Sequence, residues 1–187
     1  MKRCLWAFLV VWFGLSVYEV SAQGRGTYTL LEAGGMLGLS HSEGGKAANG
    51  YQFHFVFGRN FYDKAYVGLG IGNDIYRGRS ETIGGQRSSI RLNTFPVFAD
   101  LRMPLVEVSM RGQLGTMLNG GYAPSIGGDY FKGFLAKGGI TYAHLLTGGT
   151  DLLISAGYGF QQFKSRFDGY APFHQHNLLL TVGLFIH

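Results

Sequence analysis

The last eleven residues constrain this chain more than any other stretch. Leu178, Leu180, Val182, Leu184 and Ile186 share one parity; Asn177, Leu179, Thr181, Gly183, Phe185 and His187 share the other. Successive side chains of a strand point to opposite faces, so residues 177–187 form a strand with one aliphatic and one mixed face. The length matches the ~9–11 residues of a tilted strand crossing a bilayer and falls short of a spanning helix. A strand in a membrane needs hydrogen-bond partners on both sides, which only a closed barrel supplies.

The rest of the chain offers the other strands. Alternation recurs over residues 27–40, 50–58, 65–76, 89–102, 106–118, 130–146 and 151–163, making eight in all. It is plainest where Tyr51, Phe53, Phe55 and Phe57 oppose Gln52, His54 and Val56, and where Val67, Leu69 and Ile71 oppose Gly68, Gly70 and Gly72. Pro96 interrupts the fourth strand and predicts a bulge, with the apolar parity shifting from Ile90 and Leu92 to Val97, Ala99 and Leu101. Residues 103–105 read as a tight turn and 147–150 as a glycine hairpin. The connections are long after strands one, three, five and seven and short after two, four and six. This predicts an all-β, eight-stranded, antiparallel up-and-down transmembrane barrel, with both termini and the short turns on one side. A soluble ligand-binding barrel would instead carry its apolar face inside and charge outside.

The N-terminal segment is read separately. Lys2 and Arg3 precede an apolar run over residues 5–15, and Val20-Ser21-Ala22 offers a small-residue cleavage site. Residues 1–22 are therefore expected to be a signal peptide and 23–187 the barrel domain. The single cysteine, Cys4, lies ahead of the apolar run, so neither lipidation nor a disulfide framework is expected. Sixteen Lys and Arg against eleven Asp and Glu leave a modest, dispersed +5. No basic stripe or motif accompanies it, and nucleic acid is not an expected partner.

The polar parities carry Glu32, Asp74, Arg91, Glu107, Arg111 and Lys137, with Asp100 and Arg102 after the proposed bulge. In a membrane barrel these eight side chains are expected to line the lumen and to pair, because a lone buried charge is costly. The glycines of 68–72 would make room there for the longer arginines. Eight strands leave an interior that side chains fill, so a large pore is not expected.

With the signal ending Val-Ser-Ala-Gln, the glycine-rich meander, and the segment Asn93-Thr94-Phe95-Pro96-Val97-Phe98-Ala99-Asp100-Leu101-Arg102, the chain resembles the small outer-membrane β-barrel proteins of Bacteroidota. These are similar to the OmpA-type transmembrane barrel. The resemblance implies the outer membrane of a Gram-negative bacterium, contact with outer-membrane lipid and lipopolysaccharide, and handling by the barrel assembly machinery. Such barrels often end in an aromatic residue, whereas Phe185 is followed here by Ile186 and His187.

No cofactor or metal is implied by any motif. His41-Ser42-Glu43 names triad residue types, but adjacency in a loop does not build a nucleophile–base–orienter chain. His174 and His176 share a face without further ligands in view, and His54 and His144 read as hydrogen-bonding groups. A lipid-modifying enzyme would have to draw on Ser42 or Ser165 with His41, His144 or His174. The glycine repeats lie inside strands with no helix following, so they are not phosphate loops. Tyr28, Tyr51, Tyr62, Tyr66, Tyr76, Tyr130, Tyr142 and Phe163, near strand ends, suggest interfacial girdles. Arg77, Arg79 and Arg87 in the second long loop, with Lys164 and Arg166 in the fourth, are candidates for contacting lipopolysaccharide phosphates. The expected role is structural or one of surface interaction. A lipid-modifying enzyme and a soluble periplasmic barrel binding an apolar ligand are the alternatives.

Overall fold

The computed structural model, described over residues 26–41, 48–81, 87–126, 131–146, 148–164 and 172–187, contains nine strand segments and, among the described residues, no helix. They are β1 (Thr27–His41), β2 (Asn49–Phe61), β3 (Ala65–Glu81), β4 (Arg87–Thr94), β5 (Val97–Ser109), β6 (Gly112–Ala123), β7 (Gly133–Leu145), β8 (Thr150–Phe163) and β9 (Phe173–Ile186). All pairings are antiparallel, and β9 closes on β1, with Leu31 opposite Leu184 and Gly35 opposite Leu180. β4 and β5 are two parts of one barrel strand, since both pair with β3: Asp74 lies opposite Thr94 and Ile71 opposite Val97. The result is a closed eight-stranded barrel. Closure satisfies the ladder on both sides of the strands in the barrel wall, while β4 pairs with β3 alone. The expected signal peptide over 1–22 lies outside the described residues.

The interruption at Phe95-Pro96 differs from its expected form. Proline gives the ladder no N–H, but its carbonyl accepts a bond from the Gly72 N–H at 3.1 Å, which keeps the strand attached to β3. Leu92, Thr94, Phe98, Asp100 and Arg102 are all buried on the inner face. An even number of residues intervenes, so the chain keeps its phase and does not invert. Leu92 looked lipid-facing because it is aliphatic; it packs inside with Tyr76, Met117 and Phe163.

The turns also move. Residues 103–105 are strand, and Pro104 sits opposite Gly115 where the register shifts before Val106. A bulge is where a strand tolerates proline. The chain reverses at Met110-Arg111, with Ser109 opposite Gly112. The expected loop over 77–88 is mostly ladder: Arg77 faces Arg91, Arg79 faces Ser89 and Glu81 faces Arg87. Its polar composition suggested a loop, but a two-stranded extension needs only its own hydrogen bonds.

At the opposite end, Tyr62 (φ 57°) and Asp63 (φ 56°) turn β2 into β3, and Gly148 (φ 79°) and Gly149 (φ 74°) turn β7 into β8. All short turns lie at this end and the longer connections at the other. The polarity of the wall follows the parity. Phe53, Phe57, Leu69, Phe134, Ile140, Leu178 and Leu180 are exposed, while Glu32, Asp74, Asp100, Arg102 and Lys137 are each 4% exposed or less.

Candidate functional site

The interior is built from inward positions of strands on opposite walls. Arg102 on β5 crosses to β1, where Nη2 donates to Glu32 Oε2 at 2.9 Å. Its Nε donates to both oxygens of Asp100 at 3.2 Å, and the Tyr28 hydroxyl donates to Asp100 Oδ2 at 3.2 Å. A second brace runs from β7: Lys137 Nζ donates to Asp74 Oδ2 on β3 at 2.8 Å and to Gln52 Oε1 on β2 at 2.7 Å. His54 Nε2 lies 2.7 Å from Asp74 Oδ1 and 3.3 Å from Lys137 Nζ. β1 and β5 are not sheet neighbours, nor are β3 and β7, so each brace ties opposite walls through the middle of the barrel.

Two glycines create the space for these groups. A Cβ on Gly70 would clash with the edge of the Phe98 ring, and one on Gly72 with the His54 ring and the Phe53 carbonyl. The room on β3 is thus taken by Phe98 and His54 rather than by arginines. Two apolar clusters complete the filling, one around Tyr28, Leu30, Phe98 and Phe185 and the other around Met36, Tyr76, Phe163 and Leu179. Tyr28, Tyr76 and Phe163 therefore point inward and not into an interfacial girdle. Tyr28 stacks on Phe185 at 4.7 Å and Tyr76 meets Phe163 edge-on at 5.2 Å. A cavity of about 40 Å³ lies beside Arg102, Gln113, Thr141 and Asp151, room for about one water or two.

Of the eight residues expected in the lumen, Glu32, Asp74, Asp100, Arg102 and Lys137 are brought together there. Arg91 is exposed on the outer face because the phase does not invert at Pro96, and its Nε donates to Asn93 Oδ1 at 3.3 Å. Glu107 and Arg111 are exposed at the β5–β6 hairpin because the turn falls at Met110-Arg111. Gln52 and Tyr28 complete the braces. Gln52 carried an inward parity but no charge to draw attention, and Tyr28 was masked by the habit of tyrosine at interfaces.

The long-loop end carries the other candidates. Arg77 belongs to β3, exposed, with its Cζ 5.6 Å from the Tyr51 ring. Arg79 and Arg87 lie on β3 and β4 and not in a loop, as the ladder described above requires. Lys164 forms an isolated bridge with Lys132, and its Nζ lies 6.0 Å from the Phe134 ring. Arg166 lies outside the described residues, as do Ser42, Glu43, Tyr130 and Ser165. His144, opposite Gly112, sits at the short-turn end, while His174 stacks on Phe160 near the long-loop end. These two histidines are therefore not brought together. The Tyr158 hydroxyl bonds His176 Nδ1 on the outer wall. Among the described residues no three His, Cys, Asp or Glu side chains cluster as metal ligands would.

A closed eight-stranded barrel, apolar outside and braced by charge inside, defines the architecture. No family model matches the chain, and no curated protein does. Solved outer-membrane barrels share its fold, two of them as follows. Neisserial surface protein A (NspA) is 16% identical over 87% of this chain and 99% of that one, with a TM-score of 0.52. The outer membrane protein OprG from Pseudomonas aeruginosa is 12% identical over 87% of this chain and 97% of that one, with a TM-score of 0.50.

Proposed function

We propose that this chain is an integral outer-membrane barrel of a Gram-negative bacterium, with a structural or surface-interaction role and no large pore. The polarity of the wall carries the reading. Soluble monomers rarely expose contiguous apolar patches beyond a few hundred Å², yet here aromatic and aliphatic side chains occupy the outward positions around the barrel while charge is held inside.

The height of the apolar wall supports it. On β2, outward Phe57, Phe55, Phe53 and Tyr51 lie between Arg59 and Asn49, which are ten residues apart. At ~3.3 Å per residue and a tilt of ~40°, that is ~25 Å, the height of the apolar band of outer-membrane barrels. The short turns then face the periplasm and the longer connections face outward. An export signal over 1–22, kinship with the Bacteroidota barrels, assembly by the barrel machinery and contact with lipopolysaccharide belong to the same proposal. The side-chain-filled interior argues against a wide channel. Catalysis is not part of it: His144 sits at the short-turn end, away from His41 and His174 at the long-loop end, and both candidate serines lie outside the described residues.

Fractionation of the native protein, with SDS gel mobility before and after boiling, tests the reading. Recovery in the outer membrane with a heat-shifted band is expected. Recovery in the soluble periplasm without a shift would overturn it, and large stable steps in planar bilayers would overturn the absence of a wide pore.

A further inference from the structure

The long-loop rim repeats one unusual arrangement. Arg77 and Arg91 are register partners on β3 and β4, and both are exposed on the outer face. Lys132 and Lys164 are register partners across the isolated bridge beyond β7 and β8, on the parity of outward-facing Phe134. Like charges directly opposed across a ladder destabilise the pairing. Among the described residues no carboxylate meets any of the four; the only side-chain hydrogen bond shown by the arginine pair is from Arg91 to Asn93. In each pair one cation is laid over the aromatic ring one outward row below it, Arg77 over Tyr51 and Lys164 over Phe134. The ring holds the cation at the top of the apolar wall rather than letting it extend into the loops.

We propose that these two dibasic pairs are separate stations for lipid-borne phosphate monoesters of the outer leaflet. The inference rests on the membrane reading above. That reading sets the pairs at the upper edge of the apolar band, where lipid phosphates lie while their acyl chains run down the wall below. A phosphate between two opposed cations turns the repulsion into charge-assisted hydrogen bonds, and the guanidinium pair can hold it bidentately. Arg91 enters this site because it faces outward.

The test uses the full barrel purified in detergent, with native mass spectrometry counting bound bisphosphorylated lipid A. Two lipids per barrel are expected. R77Q/R91Q and K132Q/K164Q should each lose one, with affinity at that station falling about tenfold or more, and Arg77→Lys/Arg91→Lys should retain binding. Enzymatically dephosphorylated lipid A should bind the unsubstituted barrel weakly, a comparison that needs no variant to fold. Equal binding of both lipids would overturn the stations. So would a fourfold variant that binds like the parent while keeping its heat-shifted band, and in both cases the barrel reading would stand. Displacement of the lipid by equimolar inorganic phosphate would overturn a lipid source. A parent protein with no heat shift would instead overturn the membrane reading itself.

Discussion

Lys137 and Asp74 meet from opposite walls at 2.8 Å with almost no solvent access. An exposed pair of this kind is worth ~1 kcal/mol or less. Inside the barrel the larger effect is what remains when one partner goes. Lys137→Met should cost about 3–5 kcal/mol, because the Asp74 carboxylate is then buried without its ammonium partner. Adding Asp74→Asn should recover most of that loss, since the stranded charge is removed. Arg102→Met should cost more than Lys137→Met, because it strands two carboxylates, Glu32 and Asp100. Urea unfolding in lipid vesicles measures all three. If Arg102→Met proved the milder change, the braces would not be organised by the pairings seen here.

Among the elements, the β2–β3 turn concentrates backbone strain. Tyr62 and Asp63 both take positive φ, which for residues with a Cβ costs ~1–2 kcal/mol each. Asp63 is compensated: its N–H donates to Asn60 Oδ1 at 2.8 Å, and its carboxylate accepts from Asn60 Nδ2 at 2.6 Å. Tyr62 is 64% exposed and has little packing to lose. Tyr62→Gly is expected to stabilise the barrel by about 1 kcal/mol, read as a higher urea midpoint, while Asn60→Ala lowers it. Elements like this show where the sequence was legible. Glu32, Asp74 and Lys137 sit in strands whose alternation runs unbroken to the charged residue, so parity alone placed them inside. Arg91 departs from its expected lumen position because Pro96 leaves the phase of the strand unchanged. Glu107 and Arg111 were misread because Pro104 resembled a turn and sits instead at a bulge. The choice of partner, Lys137 with Asp74 and Arg102 with Glu32, was not legible, since contacts across a barrel depend on its shear and stagger.

For the molecule as a whole, what matters is which solvent the wall meets, and β9 allows that to be measured. Leu180 lies mid-strand, opposite Gly35 and Ala156, and is 61% exposed; Ile186 lies at the short-turn end and is 41% exposed. In water the more exposed position should accept a charge more readily. In a bilayer the order reverses, because an arginine at the midplane costs ~2–4 kcal/mol and one near the interface ~0–1 kcal/mol. Leu180→Arg should therefore destabilise the barrel in phosphatidylcholine vesicles by about 2–4 kcal/mol, and Ile186→Arg by about 1 kcal/mol or less, in urea titrations of the folded fraction. Equal and small effects would mean that the aliphatic face of β9 does not lie in hydrocarbon. The ~25 Å spacing between Arg59 and the Asn49 row would then lose its meaning as a membrane thickness. A gradient that follows depth and runs against exposure would tie the alternation of the last strand directly to the bilayer.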